Sequence, residues 1–174
     1  KYRDKINLVY HGLDFARFPE PPPHAPAKNP LKILSVGRAV PKKGYPDLLQ
    51  ALALLPTELD WRLHHIGGGP ELDSLRGLAE TLQIAGRITW QGAAPQEQVL
   101  AAYRNADLFV LASRIADDGD RDGLPNVLME AQSQRLAVIA TELAGIPELV
   151  IDGETGALVP ADDDDEVTPE DDVA

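Results

Sequence analysis

The 174-residue chain contains no cysteine, which excludes disulfide bonds and thiolate chemistry and fits a cytoplasmic protein. It has no apolar run approaching the ~20 residues that a membrane-spanning helix needs. Its first ten residues mix apolar and charged side chains and do not have the pattern of a signal peptide. With 44% hydrophobic residues, the length suits one domain with a substantial core.

Positive charge is scarce in the last third of the chain. After Leu111 there are 17 acidic and 3 basic residues, and eight of these acids lie between Asp162 and Asp172. Broad nucleic-acid binding needs a basic face, so this distribution argues against it. An anionic ligand would have to be held by a few placed cations and by backbone amides.

Two common nucleotide-binding fingerprints are also missing. No G-x-G-x-x-G opens a helix and no P-loop is present, so an ordinary dinucleotide or NTPase site is not indicated. The four histidines are His11, His24, His64 and His65, and the last two would point to opposite faces of a strand. They indicate neither a metal pair nor a Ser/His/Asp arrangement.

The chain does contain a regular alternation of apolar strands and amphipathic helices. Helices of about a dozen residues between strands indicate right-handed βαβ units and a parallel sheet. The predicted fold is therefore α/β, a Rossmann-like parallel sheet flanked by helices, with the binding edge at the strand C-termini. Strands are predicted at 6–10, 31–36, 61–66, 87–91, 108–111, 137–141 and 156–159, and helices at 44–55, 71–82, 96–106, after Pro125 and, as a short turn, around Pro147.

The two ends of the chain differ in composition from this region. Residues 1–30 combine the first strand with six prolines between Phe18 and Pro30, which predicts a semi-rigid linker or surface arm and not core. Residues 31–161 would form the Rossmann-like domain. Residues 162–174 are mostly acidic and are expected to be a disordered or truncated tail.

The segment Asp122–Glu130 gives the strongest indication of a binding site. It follows a buried strand and a loop rich in Asp and Gly, and Pro125 stands where a helix could begin. Asn126 and Glu130 would share one helix face. The free amides of the first helical turn favour an anion such as phosphate, and the carboxylate is suited to sugar hydroxyls. This mixture predicts a ligand with both phosphate and sugar.

Two glycine-containing loops follow earlier strands. Arg38, next to Gly37, and Lys43, at a helix start, could contact phosphate, but their positions alone equally fit solvated surface charges. The sequence Gly67–Pro70, which contains Gly68, would let the backbone approach a ligand closely, and it also fits a plain tight turn.

The acidic loop resembles part of a calcium-binding loop. The pattern Asp118-x-Asp120-x-Asp122-Gly123 copies the first six positions of an EF-hand loop. The bidentate glutamate would be required at position 129, which is Met129. A strand and a helix flank the loop where an EF-hand has two helices, so a solvated acidic loop is the favoured interpretation.

Taken together, the motifs resemble the C-terminal, donor-binding domain of a family 4 retaining glycosyltransferase of the GT-B type, with features of exopolysaccharide members of the colanic acid type. The resemblance covers nearly the whole chain, and the order and spacing of the motifs make it specific. The motifs are V-G-R-x-V-P-K-K-G (36–44), I-G-G-G-P (66–70), A-D-L-F-V-L-A-S (106–113), D-G-L-P-N-V-L-M-E-A (122–131), G-I-P-E-L-V (145–150) and D-G-E-T-G-A-L-V-P (152–160).

The resemblance implies a role for each matching residue. Arg38 and Lys43 would contact the diphosphate of a nucleotide sugar, and Glu130 would accept hydrogen bonds from the ribose. Asp122, where the family usually has Glu, would hold hydroxyls of the donor sugar. Arg38, Lys43 and Asp122 are thus the implied catalytic residues. The remaining implied donor-binding residues are Gly37, Gly68, Gly123, Leu124, Asn126 and Val127.

The implied reaction is hexosyl transfer from a UDP- or GDP-sugar with retention at the anomeric carbon. Arg38, Lys43 and helix amides would stabilise the leaving diphosphate, and no metal or other cofactor is required. The resemblance also implies a missing N-terminal domain that binds a glycan or lipid-linked acceptor in polysaccharide biosynthesis. The isolated domain is then expected to be inactive, and the full enzyme to be cytoplasmic, with peripheral contact to the inner face of the membrane.

The sequence also fits two alternative functions. A nucleotide-sugar epimerase of the same fold would act on a UDP-sugar without an acceptor. A calcium-dependent or protein-binding module would use the acidic loop and tail instead.

Overall fold

The computed structural model describes residues 7, 9, 11–23 and 29–161. Their six strands form one fully parallel sheet in the order β3-β2-β1-β4-β5-β6, which confirms the predicted fold. The strands are β1 (Leu31–Val36), β2 (Trp61–Ile66), β3 (Ile88–Gly92), β4 (Leu108–Leu111), β5 (Ala137–Glu142) and β6 (Ala157–Pro160).

The described part of the chain has four α-helices, each within a few residues of its predicted bounds. They are α1 (Tyr45–Ala53), α2 (Leu72–Thr81), α3 (Gln96–Asn105) and α4 (Asn126–Ser133), and 3-10 turns lie at Pro41–Lys43, Ala85–Arg87 and Ile146–Glu148. None of the helices found among the described residues is both long and apolar enough to cross a membrane.

Each face of the sheet packs against two helices. Successive side chains of a strand point to opposite faces, so Ile33 of β1 joins the cluster beneath α1 and α2, whereas Leu34 joins the cluster beneath α3 and α4. Trp61 is fully buried in the first cluster and Tyr103 in the second. Burial on both faces explains why β1, β4 and β5 consist mostly of apolar residues.

The chain changes direction across the sheet between β1 and β4. From β1 it moves outward to β2 and β3, then returns to the other side of β1 as β4. The connections leaving these two strands therefore run in opposite directions and leave a crevice at their C-terminal ends, where ligands of such sheets bind. The loops after β1 and β4 both reach this crevice, and these are the loops that carry the predicted site.

The expectation that the proline-rich segment stays outside the core is wrong at two positions. Phe18 is only 6% exposed, and Pro21 is also buried. The carbonyl oxygen of Pro19 accepts hydrogen bonds from Arg104 at 2.9 Å and from Gln134 at 3.4 Å. The segment is therefore packed onto the domain, because it supplies an aromatic anchor that its local composition does not reveal.

Two predictions fall largely or wholly outside the described residues. Within the predicted strand at 6–10 only Asn7 and Val9 are described, and neither belongs to a strand. The predicted acidic tail at 162–174 lies outside the described residues altogether.

Candidate functional site

The three glycines after β2 pack against the loop after β1. A Cβ on Gly67 would lie 1.8 Å from the carbonyl oxygen of Gly37, and one on Gly69 would lie 2.3 Å from that of Ala39. The amide of Ala39 donates to the carbonyl oxygen of Gly68 at 2.9 Å. Two glycines therefore allow backbone-to-backbone support of the loop that carries Arg38. Gly68 has open space at its Cβ position and stays a predicted ligand contact.

Gly44 brings the loops after β1 and β4 together. Its φ of 57° is left-handed, and a Cβ there would lie 1.8 Å from the carbonyl oxygen of Ala112. The amide of Arg114 also donates to the carbonyl oxygen of Lys42 at 2.9 Å. Only glycine permits this approach, which places the lysines before α1 beside the acidic loop.

Lys43 and Asp122 form an ion pair at this junction. The ammonium nitrogen of Lys43 lies 2.7 Å from Oδ2 of Asp122, and the side chains are only 12% and 11% exposed. The hydroxyl of Ser113 donates to the same oxygen at 2.7 Å. The structure thus brings together two of the three predicted catalytic residues, as partners of each other.

The third predicted catalytic residue, Arg38, is exposed at the rim of the same loop. Within residues 11–23 and 29–161, no hydrogen bond or ion pair engages its side chain. Lys42, by contrast, pairs with Asp120 at 3.0 Å. Arg38 is therefore a guanidinium with donors available to an external anion.

The acidic loop does not gather its carboxylates as a calcium site would. Asp120 turns to Lys42, Asp122 turns to Lys43, and Asp118 accepts a hydrogen bond from the amide of Asp120 at 3.0 Å. In the part of the chain that the structure describes, no group of three or more His, Asp or Glu side chains is placed to hold a metal ion. Asp120 and Asp122 instead form ion pairs with Lys42 and Lys43.

Helix α4 presents Asn126 and Glu130 to a cleft of about 440 Å³, as their four-residue spacing predicted. Oε2 of Glu130 accepts a hydrogen bond from the hydroxyl of Tyr103 at 3.0 Å. Burial, and then the charge of Glu130, raises the pKa of Tyr103 above its ordinary value, so the hydroxyl remains a donor. The carboxylate is thereby oriented while it still faces the cleft.

The opposite wall of this cleft is the segment from His11 to Phe18. Arg17 donates from Nε to Oε1 of Gln96 at 2.9 Å, and the amide of Gln96 donates back to the carbonyl oxygen of Arg17 at 3.2 Å. Val36, the last residue of β1, also lines the cleft, which therefore adjoins the Gly37 loop. The remaining lining includes the apolar side chains Leu13, Ala94 and Val99.

Two buried rings lie beneath the Gly37 loop. The hydroxyl of Tyr45 would lie 2.9 Å from a Cβ on Gly37. The rings of Tyr45 and His65 meet edge to face, with centroids 4.6 Å apart. Burial raises the pKa of Tyr45 and lowers that of His65 to about 4, so both rings are uncharged at neutral pH. The two side chains beneath Gly37 therefore carry no charge at neutral pH.

Three polar residues that orient side chains of the site were not predicted from the sequence. Ser113 fixes Asp122, Tyr103 fixes Glu130, and His11 lies 2.6 Å from the side-chain oxygen of Asn126. A serine following a strand at the binding edge was a usable signal for the first. Tyr103 and His11 carried no local signal, because their partners are 27 and 115 residues away.

Comparison with known proteins places the chain in a family. Residues 17–169 match the model of the family described as Glycosyl transferases group 1. The chain belongs to this family. This match confirms the resemblance to a glycosyltransferase that the sequence motifs indicated.

Named relatives of this glycosyltransferase domain are longer proteins. The chain is 38% identical over 162 residues to a putative colanic acid biosynthesis glycosyltransferase of Escherichia coli, covering 92% of this chain and 40% of that protein. It is 35% identical over 138 residues to a GDP-mannose-dependent alpha-(1-6)-phosphatidylinositol monomannoside mannosyltransferase of Mycolicibacterium smegmatis, covering 78% and 36%. The chain therefore spans about two fifths of the length of these relatives.

A solved structure agrees with the fold of this glycosyltransferase domain. The C-terminal domain of a group 1 family glycosyl transferase from Francisella tularensis superposes with a TM-score of 0.67 at 25% identity, covering 87% of this chain and 81% of that one. The GT-B-type, Rossmann-like prediction is thus confirmed. The epimerase and calcium-module alternatives are not favoured by any of these relatives.

Proposed function

We propose that this chain binds the nucleotide-diphosphate sugar of a retaining glycosyltransferase that acts in polysaccharide biosynthesis. One observation carries the proposal. Val36, the last residue of β1, lines the cleft that contains Glu130, and the side chain of Lys43, the partner of Asp122, lies 3.5 Å from the Cβ position of Gly37, the next residue. Cations for a diphosphate and an acceptor for a ribose are therefore neighbours.

The diphosphate would lie over the Gly37 loop. Arg38 offers exposed guanidinium donors, and Lys43 offers the ammonium group of a side chain that is 12% exposed. Helix α4 has no side-chain N-cap hydrogen bond. Its first-turn N–H groups at Asn126 and Val127, with those of Gly123 and Leu124 before them, are then suited to anionic oxygens.

The nucleoside and the sugar would extend to either side of the phosphates. Glu130, oriented by Tyr103, accepts hydrogen bonds from ribose hydroxyls inside the cleft, where Leu13, Ala94 and Val99 supply apolar surface for a base. Asp122 lies on the other side and accepts from hydroxyls of the donor sugar. The name of the mycobacterial relative supports testing GDP as well as UDP.

The chemical contribution of these residues is electrostatic. When the anomeric bond to the diphosphate breaks, negative charge develops on the leaving oxygen. Arg38, Lys43 and the α4 amides would stabilise that charge in the transition state, and this scheme requires no metal ion. Retention of configuration follows from the family resemblance.

The complete enzyme would need a further domain for its acceptor, a glycan or a lipid-linked sugar. This chain spans only about two fifths of the relatives' length, and transfer by these 174 residues alone is not expected. We propose a cytoplasmic enzyme that meets its acceptor at the inner face of the membrane.

Calorimetric titration of the chain with UDP and GDP tests the proposal. One nucleotide should bind, and Arg38→Ala or Glu130→Gln should each weaken binding by roughly ten- to a hundred-fold, because each removes a charged contact worth roughly 1.5–3 kcal/mol. Arg76→Ala and Glu80→Gln on α2 are the matched controls and should leave affinity unchanged. Failure of both nucleotides to bind the folded chain, or equal losses in the controls, would overturn the proposal.

A further inference from the structure

A histidine from the start of the chain contacts the first residue of α4. Nε2 of His11 lies 2.6 Å from Oδ1 of Asn126, although the two residues are 115 positions apart. Both side chains line the cleft that contains Glu130. This contact has no part in the site as inferred from the sequence.

The chemistry of the two groups fixes the direction of this hydrogen bond. The oxygen of a carboxamide only accepts, so Nε2 of His11 must carry the proton. The neutral ring is then unprotonated at Nδ1. The same bond favours the orientation of the Asn126 carboxamide in which its NH2 group lies on the side away from His11.

The segment that carries His11 is itself fixed on the domain. Arg17 and Gln96 exchange hydrogen bonds at 2.9 and 3.2 Å, which joins the segment to the start of α3. Phe18, at 6% exposed, anchors its end in the core. The amide of Ala16 donates to Oδ1 of Asp14 at 3.0 Å and closes the turn between them. His11 therefore approaches Asn126 from an anchored wall of the cleft.

We propose that His11 is a positioning residue for the donor site, which holds the Asn126 carboxamide so that its NH2 group donates to the bound nucleotide. The proposal rests on the function proposed above. In this arrangement the Asn126 side chain is a hydrogen-bond donor on α4, one turn before the acceptor Glu130. A ligand with an acceptor oxygen on its phosphate and hydroxyls on its ribose matches that order of groups.

A double-mutant cycle tests whether His11 acts through Asn126. The affinity of whichever of UDP and GDP binds the chain is measured for His11→Ala, Asn126→Ala and the double variant. Each single variant should weaken binding about three- to tenfold, and the double variant should be no weaker than Asn126→Ala alone. Additive losses, or no loss from His11→Ala, would overturn the proposal.

Two further variants separate this role from a general loss of packing. Asn126→Asp keeps an acceptor for His11 but replaces the NH2 donor by an anionic oxygen, so it should weaken binding more than Asn126→Ala does. His64→Ala removes a similar bond, from His64 to Oε1 of Gln91 at 2.7 Å, outside the cleft. It should leave the affinity unchanged. An Asn126→Asp variant that binds like the parent would contradict the proposed donor.

Nuclear magnetic resonance of the ligand-free chain gives a readout that needs no nucleotide. We expect the ¹⁵N shifts of His11 to show a proton on Nε2, and the side-chain amide signals of Asn126 to move in His11→Ala but not in His64→Ala. A proton on Nδ1, or an unmoved Asn126 signal, would overturn the inference by itself. Failure of UDP and GDP to bind, with the expected spectra, would instead overturn the proposed function and with it the ligand role of His11.

Discussion

The ammonium group of Lys43 lies 2.7 Å from the carboxylate of Asp122, across the junction of the loops after β1 and β4. Both side chains are nearly buried, and Ser113 holds the same carboxylate oxygen. The cation expected to meet a diphosphate thus already has an anionic partner within the domain. An incoming phosphate must compete with Asp122 for Lys43.

Replacing Asp122 by asparagine should therefore raise the affinity for UDP or GDP. Asn cannot neutralise Lys43, so the phosphate no longer has to displace a carboxylate. The expected result is a roughly fivefold lower dissociation constant in calorimetry, about 1 kcal/mol, the net value of one polar contact. Asp117→Asn, which removes an exposed charge from the same loop, is the control and should give a much smaller gain. A loss of nucleotide affinity in Asp122→Asn would contradict the competition.

Gly44→Ala should destabilise the domain by about 3 kcal/mol, because a Cβ would lie 1.8 Å from the carbonyl oxygen of Ala112 at a φ of 57°. The matched substitution is Gly77→Ala in α2, where nothing lies within 4 Å of the added atom. That variant should be stabilised by roughly 0.5–1 kcal/mol. Urea denaturation measures both, and equal effects would show that the close approach at Gly44 is absent in solution.

Stability should depend on pH through His65. Burial lowers the pKa of His65 to about 4 from its ordinary value of 6.5. Between these values the unfolded chain binds a proton at this ring that the folded chain does not, so stability falls as the pH falls from 6.5 towards 4. The full difference is about 3 kcal/mol, taking about 1.4 kcal/mol per pH unit.

The variant His65→Gln should lack this part of the pH dependence, whatever its stability at neutral pH. Unfolding free energies measured in urea at pH 7, 6, 5 and 4.5 give the comparison. His64→Gln, on the same strand, is the control and should keep the pH dependence that His65 causes. Parallel curves for the parent and His65→Gln would show that His65 is not buried uncharged.

The orientation of Glu130 by Tyr103 predicts a smaller effect on binding. Tyr103→Phe removes the hydroxyl that lies 3.0 Å from Oε2 while keeping the buried ring. Affinity for the nucleotide should fall by about three- to tenfold, which corresponds to one ordinary hydrogen bond, because the Glu130 carboxylate itself is retained. Binding as tight as in the parent would mean that Glu130 needs no such support.

The sequence predicted most of the fold because its information is local. β1, β2 and β4 occupy the predicted residues. β1 and β4 are mostly apolar, whereas β2 combines apolar residues with Arg62, His64 and His65 before the turn at Gly67. The loops of the site followed from the rule that ligands bind at strand C-termini.

The contacts within the site were not predictable in the same way. Lys43 contacts Asp122 only because the backbone at Gly44 lies close to Ala112. This is a tertiary contact, which the local sequence does not indicate. Phe18 likewise appeared in a proline-rich segment whose composition indicated a surface arm, and its burial depends on the cavity it fills.

We propose that a nucleotide occupies the crevice between β1 and β4, with its ribose on Glu130. Mapping the backbone amide signals of the ¹⁵N-labelled chain during titration with UDP and GDP tests it most directly. One nucleotide should shift the signals of Gly37, Gly123, Asn126 and Glu130, while those of α2 should stay in place. Shifts confined to other surfaces, or none with either nucleotide, would contradict it.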